Sequence, residues 1–174
     1  FCEGAASYEV TGSNFANGSA VTFNSTSANS VSVADAQHLQ ASFVGLAPGT
    51  YSVTVSNGPG CSGTKAAAVT VVTKPVLIFV DPPVAYDGIA VQANVFASGF
   101  GDGTLKGKVL GVGVRPTGSG SAPKAVAFVF DAAKPNQFKV TLPIGLAPGK
   151  YELVVGDNLG CAVTLADAFI VTAT

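Results

Sequence analysis

The chain has 174 residues, a formal net charge of −1 and 11% charged residues, against roughly a quarter in an average soluble domain. Its nine Lys and Arg are scattered from Lys65 to Lys150, which excludes the basic footprint of a nucleic-acid or anionic-membrane partner. The longest apolar runs, Val76 to Val80 and Ala125 to Phe130, are strand-sized and far below the ~20 residues of a membrane helix, so no membrane insertion is expected.

Gly, Pro, Asn and Ser punctuate short runs of alternating polarity throughout, the signature of an all-β chain with closely spaced strands. In the first half this spacing predicts strands at Ser7 to Gly12, Ala20 to Phe23, Ser30 to Val33, Leu39 to Val44, Tyr51 to Asn57 and Ala66 to Thr73. Lys74 and Pro75 form a junction. The second half predicts Val76 to Asp81, Val91 to Ser98, Lys106 to Val114, Ala125 to Asp131, Gln137 to Leu142, Tyr151 to Gly156 and Ala166 to Ala173. "RPTGSGSAPK", Arg115 to Lys124, reads as a loop.

The stretch "GLAPGTYSVTVSNGPGC", Gly45 to Cys61, returns as "GLAPGKYELVVGDNLGC", Gly145 to Cys161, an offset of 100 positions. Such a repeat makes two tandem domains of one fold, 1–73 and 75–174. Setting Phe15 against Phe100 gives an offset of 85, which aligns Cys2 with Asp87. The strand "VLIFV" then has no counterpart in the first copy, where only Phe1 to Ala6 precede the next strand. The first domain is therefore expected to lack its first strand and to expose a sheet edge.

The segment "YEVTGSNFANGSAVTF", Tyr8 to Phe23, followed by "GLAPGTYSVTVSN", resembles the IPT/TIG family of immunoglobulin-like domains. The likeness covers nearly all of the first copy; in the second, "LIFVDPP" and "VFASGF" stand where the family has its first strand and its Gly-Ser-Asn-Phe strand end. The resemblance implies two tandem immunoglobulin-like, IPT/TIG-like Greek-key β-sandwiches. It also implies a binding or spacer module of an extracellular or cell-surface protein of bacterial style, without catalytic residues. Independently of family, Tyr51 and Tyr151 open the penultimate strand of each copy, as a tyrosine corner requires; the alternative is that both are simply core rings.

Residues suited to chemistry are sparse. The lone His38, in "ADAQHLQ", reads as a turn residue facing solvent, since a triad or zinc site needs more partners. "GFGDGTLKG" lacks the spaced acidic ligands of a calcium loop, and Asp102 reads as a turn residue. The sequons Asn17-Gly18-Ser19 and Asn24-Ser25-Thr26 read first as turns. No cofactor or metal and no enzymatic activity is expected. Cys61 and Cys161 hold equivalent places, and the expectation is a Cys2–Cys61 disulfide that leaves Cys161 unpaired or joined to another chain. The alternative is three reduced thiols.

The lack of Met and the opening on Phe1 are read as removal of the initiator with a signal peptide, with a pro-segment or by cloning, of which export followed by processing is the natural reading. Together these features predict a non-enzymatic extracellular structural protein, a subunit of an appendage, filament or surface layer that meets other copies of itself through β-strand edges. The alternative is an adhesive, carbohydrate-binding or spacer module cut from a larger secreted or surface protein, with a surface ligand or glycan as partner and Tyr86 as its one free aromatic.

Overall fold

A computed structural model describes residues 1–5, 7–101, 106–131 and 133–174, and every named element among them is a strand. Asp102 lies outside the described residues. The chain divides into two units, Phe1–Thr73 and Lys74–Thr174.

Unit 1 contains β1 (Ser7–Thr11), β2 (Ala20–Phe23), β3 (Thr26–Ser27), β4 (Ser30–Val33), β5 (His38–Ser42), β6 (Gly49–Ser56) and β7 (Ser62–Val71). They form two sheets, in the orders β1-β5-β4 and β3-β2-β6-β7. Unit 2 contains β8 (Val76–Asp81), β9 (Val84–Tyr86), β10 (Val91–Ser98), β11 (Val109–Pro116), β12 (Lys124–Ala125), β13 (Ala127–Phe130), β14 (Gln137–Leu142), β15 (Gly149–Asp157) and β16 (Ala162–Thr172). Its sheets run β13-β14-β10-β8 and β12-β11-β15-β16-β9. In both units the chain leaves one sheet for the other and returns, the Greek-key order of an immunoglobulin-like sandwich.

Alternation makes these strands. In β5 Leu39 and Ala41 are buried while His38 and Gln40 face solvent, and in β14 Phe138, Val140 and Leu142 are buried. Each unit closes its own core between the inner faces of its sheets. Tyr8, Phe23 and Phe43 cluster in unit 1, with Phe23 and Phe43 stacked 4.2 Å apart. In unit 2 the centre is Phe100, Leu142, Leu153 and Phe169. The repeated turn starts on Gly45 and Gly145, at φ 68° and 75°, a left-handed conformation that glycine adopts without steric penalty. Ala67 and Asp167 take the same conformation, φ 47° and 49°, where the β6–β7 and β15–β16 registers slip.

The structure extends or corrects several expected boundaries. β7 and β16 begin at Ser62 and Ala162, four residues before the expected Ala66 and Ala166; in β7 this segment is exposed and polar, so no apolar alternation announces it. The short strands β3, β9 and β12 were not expected, being held by the ladders of their neighbours. Arg115 is not in a loop but in β11, and its Nε donates to Glu152 Oε1. Glu152 is buried beneath that guanidinium.

Candidate assembly groove

The two units differ most at one sheet edge. In unit 2, β10 lies between β14 and β8, and β8 pairs antiparallel to it from Asn94↔Asp81 to Ser98↔Val76. In unit 1 the equivalent strand β1 pairs with β5 alone, and among the described residues its other edge carries no strand. β7, the counterpart of β16, is likewise the last strand of its sheet.

β8 does more than satisfy backbone groups. It buries Leu77 and Val80 opposite Ala97 and Val95, closing the mouth of the sandwich. Beneath it Val95, Phe100, Leu153, Val155 and Phe169 are all buried. The equivalent residues of unit 1 are Val10, Phe15, Val53, Val55 and Val69, and of these Val10, Phe15 and Val55 retain solvent exposure. They line an open groove of about 720 Å³ between β1 and β7. The ring of Phe15 folds over Gly12, where a Cβ would come within 2.6 Å of Phe15 Cζ. The groove is therefore an apolar floor between the outer edge of β1 and the first part of β7, and its charged lining residues are Glu9 and Lys65.

The start of the chain occupies the neighbouring strand position. Phe1 and Glu3 bracket Val72: Val72 N–H donates to Phe1 O (2.9 Å) and Glu3 N–H donates to Val72 O (2.8 Å). In unit 2 Asp87 N–H donates to Thr172 O (3.1 Å), so Glu3, rather than the expected Cys2, corresponds to Asp87. Residues 1–3 thus stand where the end of β9 stands, and no equivalent of β8 occurs among the described residues of unit 1.

The cysteines correct the expected pairing. Cys61 carries a free, exposed thiol, whereas Cys2 and Cys161 are both disulfide-bonded. Cys2 bridges Val72 just beyond the far end of β7, while Cys61 precedes the first residue of that strand. At about 3.3 Å per residue the strand separates them by roughly 30 Å, and a disulfide requires Cα atoms within about 7 Å. A Cys2–Cys61 bond is therefore excluded, and Cys161 is not unpaired.

Both expected corner tyrosines tie their turn to their strand. The Tyr51 hydroxyl donates to Ala47 O at 2.7 Å, and the Tyr151 hydroxyl donates to Ala147 O at 3.0 Å. His38 opens β5 instead of sitting in the turn, and its Nδ1 lies 2.9 Å from Asp35 Oδ1. The Asp35 carboxylate also accepts the Gln37 and His38 backbone N–H groups. The Gln37 bond, followed by that of the His38 ring, holds Asp35 below the ordinary carboxylate range. That is a turn-capping arrangement. No cluster of metal-ligating side chains occurs among the described residues.

Asn24, first of the two loop residues between β2 and β3, has φ 52° and accepts the Ser52 N–H through Oδ1 (2.9 Å). Ser19 Oγ lies 2.6 Å from both Ala16 O and Asn57 Oδ1. Tyr86 is 46% exposed at the end of β9. A feature that spacing did not reveal is a second aromatic site: Phe79 of β8 and Phe96 of β10 stack at 4.3 Å on the outer face of their sheet, Phe79 48% exposed. The signal was present only as two phenylalanines in predicted strands whose pairing was unknown.

No protein-family model matches the chain, and no curated protein sequence matches it. Among solved structures, the full extracellular region of plexin A4 resembles it over 99% of this chain and 15% of its own, with 13% identity and a TM-score of 0.52. A Bacteroides ovatus glucan-utilisation protein solved with a mixed-linkage heptasaccharide covers 100% of this chain and 43% of its own, at 14% identity and a TM-score of 0.34. The titin I-band fragment I67–I69 covers 99% and 60%, at 12% identity and a TM-score of 0.35. The chain thus spans a small part of the first of these proteins. The likeness to plexin A4 agrees with the strand order: the chain is a tandem of immunoglobulin-like β-sandwiches.

Proposed function

We propose that this chain is a non-enzymatic extracellular structural protein of IPT/TIG type, a subunit of a cell-surface appendage, filament or surface layer that assembles with other copies through β-strand edges. The observation that carries this reading is the open groove of unit 1, flanked by the outer edge of β1 and by the part of β7 ahead of Thr70, neither of which has a strand neighbour there among the described residues. Open edges present unpaired N–H and C=O groups and template pairing with another chain. A surface with few charges offers little repulsion against it. The disulfide-bonded state of Cys2 and Cys161 agrees with an oxidising compartment.

The test is analytical ultracentrifugation across a concentration series, with electron microscopy of the most concentrated sample. Concentration-dependent assembly into ordered fibres or sheets supports the reading, and a chain that stays monomeric throughout overturns it.

A second reading, an adhesive or carbohydrate-binding module or a spacer of a larger surface protein, is favoured by the exposed Phe79–Phe96 stack. Aromatic side chains supply large contact area to ligands. Its test is a glycan-binding screen in which Phe79→Ala abolishes any binding found.

A further inference from the structure

Asn is followed by Gly twice in this chain, at Asn17-Gly18 and at Asn57-Gly58, and the fold treats the two pairs in opposite ways. Asn57 is held at both ends of its amide. Its Nδ2 donates to Asn14 O at 2.6 Å and its Oδ1 accepts from Ser19 Oγ at 2.6 Å, while the Gly58 N–H donates to Ser56 Oγ at 3.3 Å.

Asn17 is exposed in the turn from Ala16 to Ser19, which closes with the Ser19 N–H donating to Ala16 O at 2.9 Å. Gly18 has φ 90°, the value a type II turn asks of its third residue, and a β carbon built on it would meet nothing within 4 Å. Neither the Asn17 amide nor the Gly18 N–H has a hydrogen-bond partner among the described residues.

We infer that Asn17 is a site of spontaneous deamidation in the folded protein, and that the hydrogen bonds of Asn57 protect it from the same reaction. The Gly18 amide nitrogen gives its proton to solvent base and attacks Asn17 Cγ, unhindered because glycine has no side chain. The Cγ–Nδ2 bond breaks, and Nδ2 takes up a proton and leaves as ammonia, closing a succinimide ring. Water then opens the ring. Attack at Cγ gives aspartate; attack at the backbone carbonyl gives isoaspartate, in which the main chain runs through Cγ. For Asn57 to react, its amide must first leave Ser19 and Asn14.

The product changes the surface. Val10 to Ala34 carry no charged side chain, so a carboxylate at position 17 is the first charge in that stretch and lowers the formal net charge of −1 by one unit. The same conversion at position 57 would set a carboxylate oxygen against Asn14 O, two acceptors with no proton between them. The inference uses no strand edge and no groove, and stands apart from the assembly reading.

The test follows the full chain, produced in a host without N-glycosylation, through weeks in mildly alkaline buffer. A parallel sample is unfolded in guanidinium chloride with its disulfides intact. Peptide mapping by mass spectrometry reads aspartate and isoaspartate at both positions, and heavy-oxygen water marks the conversions that occur during the incubation.

Unfolded, the two pairs should convert at similar rates. Folded, Asn17 should stay within about threefold of its unfolded rate, and Asn57 should slow by at least about tenfold, because it reacts only when its turn opens. Asn17→Gln, whose longer side chain cyclises far more slowly, should remove most of the acidic form that ion exchange resolves. If folding slows Asn17 as much as Asn57, the turn withholds its amide and the site is overturned. An Asn57 that converts as fast folded as unfolded overturns the protection. An acidic form that accumulates undiminished in Asn17→Gln places the reactive amide elsewhere and sinks the assignment.

Discussion

Lys65 and Leu165 hold the same ladder position in the two units, Lys65 opposite Val53 and Leu165 opposite Leu153. Leu165 packs against a closed core, while Lys65 is exposed at the rim of the open groove. A cation beside an uncovered edge keeps that edge soluble and discourages flat, indiscriminate pairing. Lys65→Leu is expected to remove that guard. In sedimentation velocity the variant should associate at lower concentration than wild type; unchanged association would show that Lys65 does not control the edge.

The converse experiment opens unit 2. Leu77 is the β8 side chain over Ala97 and is buried, so Leu77→Ala should cost about 2–4 kcal/mol, as truncations of buried leucine do. The loss should appear in the unfolding of unit 2, with faster hydrogen exchange across β10, and leave β1 exchange in unit 1 unchanged. Equal destabilisation of both units would contradict the two separate cores.

Most of this fold was legible because alternation, turn glycines and an internal repeat report directly on strands that bury one face. The boundaries of β2, β4, β8, β10 and β14 follow from that pattern alone. Where a face has no core to meet, the pattern vanishes: Ser62 to Lys65 form a strand but are exposed, and the pattern starts the strand only at Ala66. That β1 has a strand neighbour on one side only among the described residues could be read from the lack of a counterpart to "VLIFV" in the first copy. The cysteine pairing was not, since equivalence of position carries no distance, and Cys2 and Cys61 lie toward opposite ends of one strand. The Arg115–Glu152 pair was hidden because each residue taken singly reads as surface.

The thiol states give a direct count. Unreduced native protein should react with Ellman's reagent at one thiol per chain, at the exposed Cys61, and Cys61→Ser should abolish that reaction. Peptide mapping without reductant should recover Cys2 and Cys161 only in disulfide-linked peptides. Recovery of Cys61 in a disulfide with Cys2 would contradict their separation along β7.

The two corner tyrosines are predicted to differ in weight. Tyr151 is buried and Tyr51 only half-buried, though each donates to the carbonyl four residues earlier. A net hydrogen bond contributes about 0.5–1.5 kcal/mol, with the larger losses where the abandoned acceptor is shielded from water. Tyr151→Phe should therefore lower the melting temperature of its unit more than Tyr51→Phe, as read by calorimetry of the two variants. A larger effect at Tyr51 would mean that its turn is less solvated than its exposure indicates.

Acid should act on the surface carboxylates that accept hydrogen bonds. Asp87 Oδ1 takes the Thr174 hydroxyl at 2.8 Å and the Thr174 N–H at 3.0 Å, and these bonds hold its carboxyl below the ordinary range. Lys150 does the same for Asp167 through a 2.9 Å contact. Because the folded values lie below the unfolded ones, this support is fully present above the ordinary carboxylate pKa. It is lost as the pH falls through the lowered folded values, below about 4. Both groups are solvent-screened, so the effect is local. The Thr174 amide resonance should stay constant from neutral pH to about 4 and shift only in stronger acid. In Asp87→Asn, which retains an acceptor oxygen but does not titrate, it should stay constant throughout. A wild-type midpoint above the ordinary carboxylate range would mean that Thr174 does not hold the charged form of Asp87.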